Sequence, residues 1–332
     1  MITAVPVELL PDAALAAEIV EGLAVVEKSL GEAVRAEEAL LAEASRHLID
    51  AGGKRFRATL VLLAAQFGNP RDERVVPAAV AIELTHLATL YHDDVMDEAA
   101  IRRGHASANS RWTNTIAILT GDFLFARASR ILADLGDQAI RIQAETFARL
   151  VSGQIAETLG PSAGQDALEH YLRVVQDKTG SLIATAGRFG AMFSGAPADV
   201  AARMEPACAA IGIAWQLSDD ILDVASESAQ SGKTPGTDLR EGIRSLPVLH
   251  ALRSAGPGDE RLRELLLTAD LTDESLHAEA LRLLRAHPAM AAARADLRQW
   301  VKAARDEISA LPDVPARAAF EALCDYVTDR TG

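Results

Sequence analysis

The stretch Asp72-Glu73-Arg74-Val75-Val76-Pro77-Ala78-Ala79-Val80-Ala81-Ile82-Glu83-Leu84-Thr85-His86-Leu87-Ala88-Thr89-Leu90-Tyr91-His92-Asp93-Asp94-Val95-Met96-Asp97 decides the fold. It reads as one long apolar helix whose C-terminal end carries Asp-Asp-x-x-Asp. A second copy, Asp219, Asp220 and Asp223, closes another helix expected over about Ala198 to Asp223. Residues i and i+4 share a helix face, so each copy aims at least two carboxylates the same way. They repel one another, the helix dipole opposes them, and their apolar surroundings make uncompensated charge expensive. A hard cation such as Mg²⁺ would hold them, joined to the phosphate of a substrate. Two such clusters suggest one phosphate group gripped from both sides.

Outward from these two helices, nearly every segment keeps the helical period. Helices are expected over about 12–30, 33–51, 56–67, 107–135, 138–159 and 167–193, with charged amphipathic helices from about Asp259 onward. Gly52-Gly53 and Gly68-Asn69-Pro70 act as stops. Alternating β-branched runs and Asn-Gly hairpins are lacking. Glu98 to His105 reads as a loop, and Ser226 to Gly242 as a lid. The fold class is therefore all-α.

The 332 residues carry a formal net charge of −14, which argues against nucleic acid as a partner. Cys208 and Cys324 show no metal-ligand spacing and no disulfide framework. The N-terminus has no basic and apolar leader, and no apolar run nears the roughly 18 residues of a membrane span. A soluble, cytoplasmic protein is expected.

An acidic protein that handles an anion must gather its cations locally. Gly52-Gly53-Lys54-Arg55-Phe56-Arg57 sets three cations on a turn that opens a helix, where backbone N–H groups favour an anion. Arg102-Arg103 follows the first acidic cluster, Lys178-Thr179 precedes Gly180, and Lys233 lies in the expected lid. An acidic cluster alone is usually a solvated helix end; its coincidence with these basic turns points to function. Glu83-Leu84-Thr85-His86 imitates the Glu-x-x-His of di-iron bundles, which use that motif in facing pairs; His86 is read instead as a substrate-side residue.

In order along residues 45 to 250, these elements resemble the trans-isoprenyl diphosphate synthases, the polyprenyl synthetase family. They are Gly52-Gly53-Lys54-Arg55-Phe56-Arg57, His86, Asp93 to Asp97 with Arg102-Arg103-Gly104, Lys178-Thr179, Gln216 with Asp219 to Asp223, Gly232 to Leu239, and Glu241-Gly242. The resemblance implies a single-domain helical bundle over residues 1–332 around a deep central cavity, the isoprenoid synthase type, and a homodimer. It implies that Asp93, Asp94, Asp97, Asp219, Asp220 and Asp223 bind Mg²⁺ bridging an allylic diphosphate. Arg102, Lys178 and Lys233 would contact that diphosphate, with Thr179 and Gln216 near the reacting carbons. Lys54, Arg57, His86 and Arg103 would bind isopentenyl diphosphate. The reaction implied is ionisation, condensation and elimination.

Two positions depart from the family's usual pattern. Ala58 stands where Pro is common, which is expected to alter only the helix start, and Ile243 stands where Lys is common. Thr85, Ala88 and Thr89 are small residues on the face leading back from Asp93. In this family, bulky residues four or five positions before the first Asp close the pocket early, so a long all-trans product is expected. Ala78 to Thr89 spans roughly 16 Å, room for several isoprene units; ordinary close helix packing is the bland alternative. A farnesyl or geranylgeranyl diphosphate synthase and a regulatory subunit of a heteromeric synthase are the competing readings. A terpene cyclase would lack the Gly-Gly-Lys-Arg element, and a head-to-head synthase would carry Asp-x-x-x-Asp. Membrane contact for release of an oily product stays open.

Overall fold

The computed structural model describes residues 10–226, 235–254, 256 and 258–331. Its elements are helical apart from one small hairpin. In order they are α1 (Ala13–Ala33), α2 (Ala39–Asp50), α3 (Phe56–Ala65), α4 (Val75–Met96), β1 (Ile101–Arg102), β2 (His105–Ala106), α5 (Ala108–Arg111), α6 (Asn114–Leu135), α7 (Asp137–Leu159) and α8 (Ala167–Val175). A π-helical turn (Gln176–Gly180) leads into α9 (Ser181–Phe193) and α10 (Ala198–Ala225). Then come α11 (Thr237–Arg240), α12 (Leu246–Arg253), α13 (Glu260–Thr268), α14 (Glu274–Ala286), α15 (Ala289–Ile308) and α16 (Pro315–Asp329).

Packing divides the chain into two compact units, one of residues 1–148, 181–208 and 307–323, the other of 149–180, 209–306 and 324–332. In the first, α4 is the central rod, touching α1, α3, α6 and α9. Its buried residues run without a gap from Ala78 to Thr85, covering every face, as a helix apolar all round requires. Small residues let neighbours come close. A Cβ on Gly190 of α9 would stand 2.2 Å from the Val61 carbonyl oxygen of α3. Tyr91 is fully buried, donating to the Ala44 carbonyl and accepting from Leu48 N, which ties α4 to α2. In the second unit, α12 packs on α8, α13 and α14, and α11 and α13 lean on α14.

The expected helix over 33–51 starts only at Ala39, because the chain turns at Val34. The one expected over 107–135 breaks at Trp112, and Thr113 then caps α6 by accepting from Ile116 N at 3.2 Å. The π-turn interrupts the helix expected over 167–193. The loop after Asp97 contains an antiparallel hairpin, Ile101 opposite Ala106, with Arg103 (φ 53°) and Gly104 (φ 78°) at its tip. Of the expected lid, residues 227–234, with Lys233, lie outside the described residues.

Candidate active site

In the first unit, α4 presents Asp93 and Asp97 one turn apart at its C-terminal end, Asp93 half-buried and Asp97 exposed. Asp94 points inward and is fully buried. Its Oδ1 accepts from Arg102 Nε at 2.6 Å, and its Oδ2 is buried without a hydrogen-bond partner. Burial raises the Asp94 pKa, and the Arg102 guanidinium opposes that rise. Arg102, expected on the allylic diphosphate, thus also carries Asp94. His47 anchors the hairpin that bears Arg102, its Nε2 standing 2.8 Å from the Ala106 carbonyl oxygen.

The same unit assembles Arg57, His86 and Arg103. Arg55 adopts a left-handed backbone (φ 46°), which turns its side chain inward to Glu27. That arginine is structural, its guanidinium committed to Glu27 and to the Ile49 carbonyl. Arg103 reaches back to donate to the Leu48 carbonyl at 2.7 Å and to that of Gly52. Gly53 makes room, since a Cβ there would lie 2.9 Å from the Arg103 Cζ. Arg57 Nε is buried without a partner. Burial pushes Arg57 down to about 10, with Glu83 opposing the fall and Arg103 adding to it. Burial, then the charges of Arg57 and Arg103, holds the His86 imidazole well below its ordinary pKa and neutral. Crowded, desolvated cations of this kind are relieved by an anion.

Glu83 stands one turn before His86, nearly buried, and accepts from Ala58 N at 3.0 Å. Ala58 therefore does more than alter the helix start: it supplies an N–H that proline lacks. Thr85, the deepest of the expected wall residues, is fully buried and accepts at Oγ1 from Gln143 Nε2 at 2.7 Å. Ala88 is buried without a polar partner to satisfy, and Thr89 is half-buried, its hydroxyl on the His86 carbonyl.

The second unit places Lys178, Thr179, Gln216, Asp219, Asp220 and Asp223. Asp220 is held on all sides. Its Oδ2 accepts from Tyr171 OH (2.5 Å) and Leu246 N (2.9 Å), and its Oδ1 from Gln216 Nε2 (3.0 Å). Burial lifts its pKa to about 6 against the pull of these donors. Asp223 caps α11, accepting from Thr237 N and Asp238 N, both at 3.1 Å. Asp219 is half-exposed and pairs with Arg330 Nη2 at 2.8 Å. Arg330 also donates to Ser218 Oγ (2.6 Å) and the Trp215 carbonyl (2.9 Å), with its guanidinium 4.2 Å from the Trp215 ring. Lys178 rides the π-turn and pairs with Glu157. Gln216, expected near the reacting carbons, spends its amide on Asp220.

Sequence reasoning set Glu83 aside and missed Tyr171 and Arg330. Glu83 had a signal in its Glu-x-x-His spacing; the other two are single residues in amphipathic helical sequence, with no pattern of their own. Among the described residues, no group of three His, Cys, Asp or Glu is gathered to hold a metal ion.

The family model described as polyprenyl synthetase matches residues 38–284. The nonaprenyl diphosphate synthase of Mycobacterium tuberculosis is 51% identical over 324 residues, covering 97% of this chain and 96% of that protein. The crystal structure of geranylgeranyl pyrophosphate synthase from Corynebacterium glutamicum, complexed with calcium and isoprenyl diphosphate, matches with a TM-score of 0.89 at 42% identity, covering 97% of this chain and 99% of that one. A decaprenyl diphosphate synthase from Rhodobacter capsulatus matches at 0.85 and 34% identity, covering 96% and 99%.

Proposed function

The chain belongs to the polyprenyl synthetase family, and on that premise we propose that it lengthens an allylic prenyl diphosphate by condensing it with isopentenyl diphosphate into a long all-trans polyprenyl diphosphate. The observation that carries this reading is the set of Arg57, Arg103 and neutral His86 in the same unit as the Asp93–Asp97 carboxylates. One part is built for an anion without metal, the other for an anion through metal.

An all-oxygen set with a buried unsatisfied oxygen on Asp94 suits a hard divalent cation. Asp93, Asp94 and Asp97, and Asp219, Asp220 and Asp223, would hold Mg²⁺; the donors that Arg102, Tyr171 and α11 supply to Asp94, Asp220 and Asp223 keep those carboxylates placed. When bound, Mg²⁺ neutralises charge on the departing diphosphate. Arg102, Lys178 and Lys233 would steady that leaving group as the allylic C–O bond breaks. Lys54, Arg57, His86 and Arg103 would orient isopentenyl diphosphate so that its alkene meets the carbocation, with Thr179 and Gln216 beside the reacting carbons. Proton loss to the departed diphosphate completes the step.

Ala88 and Thr89, both small and on the helix face leading back from Asp93, favour a long chain. Cys208 and Cys324 are buried and form no disulfide, and no helix among the described residues is long and apolar enough to cross a membrane; a cytoplasmic enzyme fits both. A homodimer fits the exposed apolar Ile118 and Leu119 of α6.

Incubating the purified protein with Mg²⁺, farnesyl diphosphate and labelled isopentenyl diphosphate, then sizing the product, tests the reading. Label in prenyl diphosphates well beyond farnesyl is expected. A cyclised hydrocarbon, or no turnover without a second protein, would overturn it.

A further inference from the structure

Glu83 is an anomaly for a site that must bind a diphosphate. It brings a carboxylate into the densest collection of cations in the first unit, only 2% exposed. Its Oε1 lies 3.0 Å from Ala58 N, one of the first-turn donors of α3 that has no partner within the helix. Arg57 is the adjacent residue in sequence, and His86 lies one turn on along the same face of α4. Arg57 and Arg103 both feel the negative charge of Glu83, which opposes the loss of their protons. The helix N-terminus that the sequence offers to an anionic ligand is thus occupied by an anion of the chain itself.

We propose that Glu83 is a resident counterion of the isopentenyl diphosphate subsite, which weakens diphosphate binding there so that the subsite empties and refills at every round of elongation. The proposal rests on the assignment of Arg57 and Arg103 to that subsite. A long product needs several condensations, each with a fresh isopentenyl diphosphate. Affinity that is equal in ground and transition states adds nothing to turnover once the site is filled. The charges of Arg55, Arg57, Arg102 and Arg103 all reach His86. Unmoderated, such a field would bind a diphosphate, and inorganic phosphates too, more tightly than a recycling site tolerates. One fixed negative charge moderates this, and the Ala58 N–H keeps that charge from collapsing onto Arg57.

Two substitutions pull in opposite directions. Glu83→Gln keeps an acceptor for the Ala58 N–H and deletes the charge. Ala58→Pro keeps the charge and deletes the donor, at a first-turn position where proline is tolerated; the freed carboxylate then competes for Arg57. Calorimetric titration of isopentenyl diphosphate into the full chain in EDTA reads this subsite without metal-dependent binding. Glu83→Gln should bind about five- to tenfold more tightly than wild type, the effect of one nearby charge in a screened protein site. Its KM for isopentenyl diphosphate should fall while kcat does not rise. Ala58→Pro should bind several-fold more weakly. Damage to the fold weakens binding and does not tighten it, so tightening separates an electrostatic role from a structural one. Unchanged or weaker binding in Glu83→Gln would overturn the proposal. Should that variant not fold, unchanged or tighter binding in Ala58→Pro does so. Arg57→Ala is the control for the underlying assignment: weakened binding there upholds the subsite, and undiminished binding removes the subsite and the counterion together.

Discussion

Replacing Arg330 with alanine should destabilise the protein by about 2–3 kcal/mol and free Asp219 at the same time. The guanidinium donates to Ser218 Oγ at 2.6 Å and to the Trp215 carbonyl at 2.9 Å. Two charge-assisted hydrogen bonds are worth about 1.5 kcal/mol each at the lower end of their range. Stacking 4.2 Å from the Trp215 ring adds about 1 kcal/mol. The ion pair with Asp219 adds little, because that carboxylate is half-exposed and screened. Against this gross sum of about 4 kcal/mol stands the rotamer entropy that an ordered arginine gives up, about 1–2 kcal/mol. The net of about 2–3 kcal/mol corresponds to a drop in melting temperature of about 4–12 °C at 2–4 °C per kcal/mol. Differential scanning calorimetry measures it directly. Arg330→Lys should recover only part, since one ammonium cannot serve a hydroxyl, a carbonyl and a ring in that planar arrangement. With its arginine gone, Asp219 should take Mg²⁺ at lower concentration, read as a reduced half-saturating Mg²⁺ in the condensation assay. A melting temperature within about 1 °C of wild type, together with an unchanged Mg²⁺ requirement, would refute this reasoning.

Gly190→Ala should destabilise by about 1–3 kcal/mol through overpacking, because the new Cβ would meet the Val61 carbonyl oxygen and the Ala64 side chain; denaturant unfolding checks it. Ala88→Phe should shorten the product markedly, seen as a shift in chain-length distribution on reversed-phase analysis. Asp220, with its pKa raised to about 6 by burial, is protonated in the native state over a range where the unfolded chain is already ionised. Its contribution to stability therefore grows as pH falls through about 6 and is lost as pH rises through that value. Tyr171→Phe removes a donor that favours the Asp220 carboxylate, so the acid limb of the rate profile should move to higher pH; a limb that stays in place would show that Asp220 does not govern it.

The helical class was legible because periodicity survives in most segments, and α4, apolar on every face, could be read from its length almost to its last residue. The ordered basic and acidic elements carried the family resemblance, yet the hydrogen-bond partners of their residues were not readable. Arg55 and Arg57 look equivalent in a string of cations. Only the left-handed backbone at Arg55 sends it to Glu27, while Arg57 keeps a buried Nε without a partner. Asp94 and Asp220 look like their neighbours in sequence, but each also accepts from partners distant in sequence, Arg102 in one case, Tyr171 and Leu246 in the other. Pattern along a chain reports spacing, whereas these assignments depend on which remote donor arrives. Thr85 carried the same ambiguity: small enough to line a path, and engaged across the core by Gln143.

The π-turn under Lys178 ties two positions distant in sequence into one packing unit. Its widened backbone lies so near α7 that a Cβ on Gly153 would fall 2.7 Å from Lys178 N. The extra residue of such a turn rotates the downstream helix by about a quarter-turn relative to a plain α-helix. Loss of one codon from 176–180 would swing Thr179 off its face and leave a void over Gly153. Gain of any side chain at 153 would press the bulge flat. Either change alone should be purged, while the two together could restore a continuous helix with its lysine aimed elsewhere. A chain that loses the turn would therefore need a side chain at 153 to fill the gap it leaves.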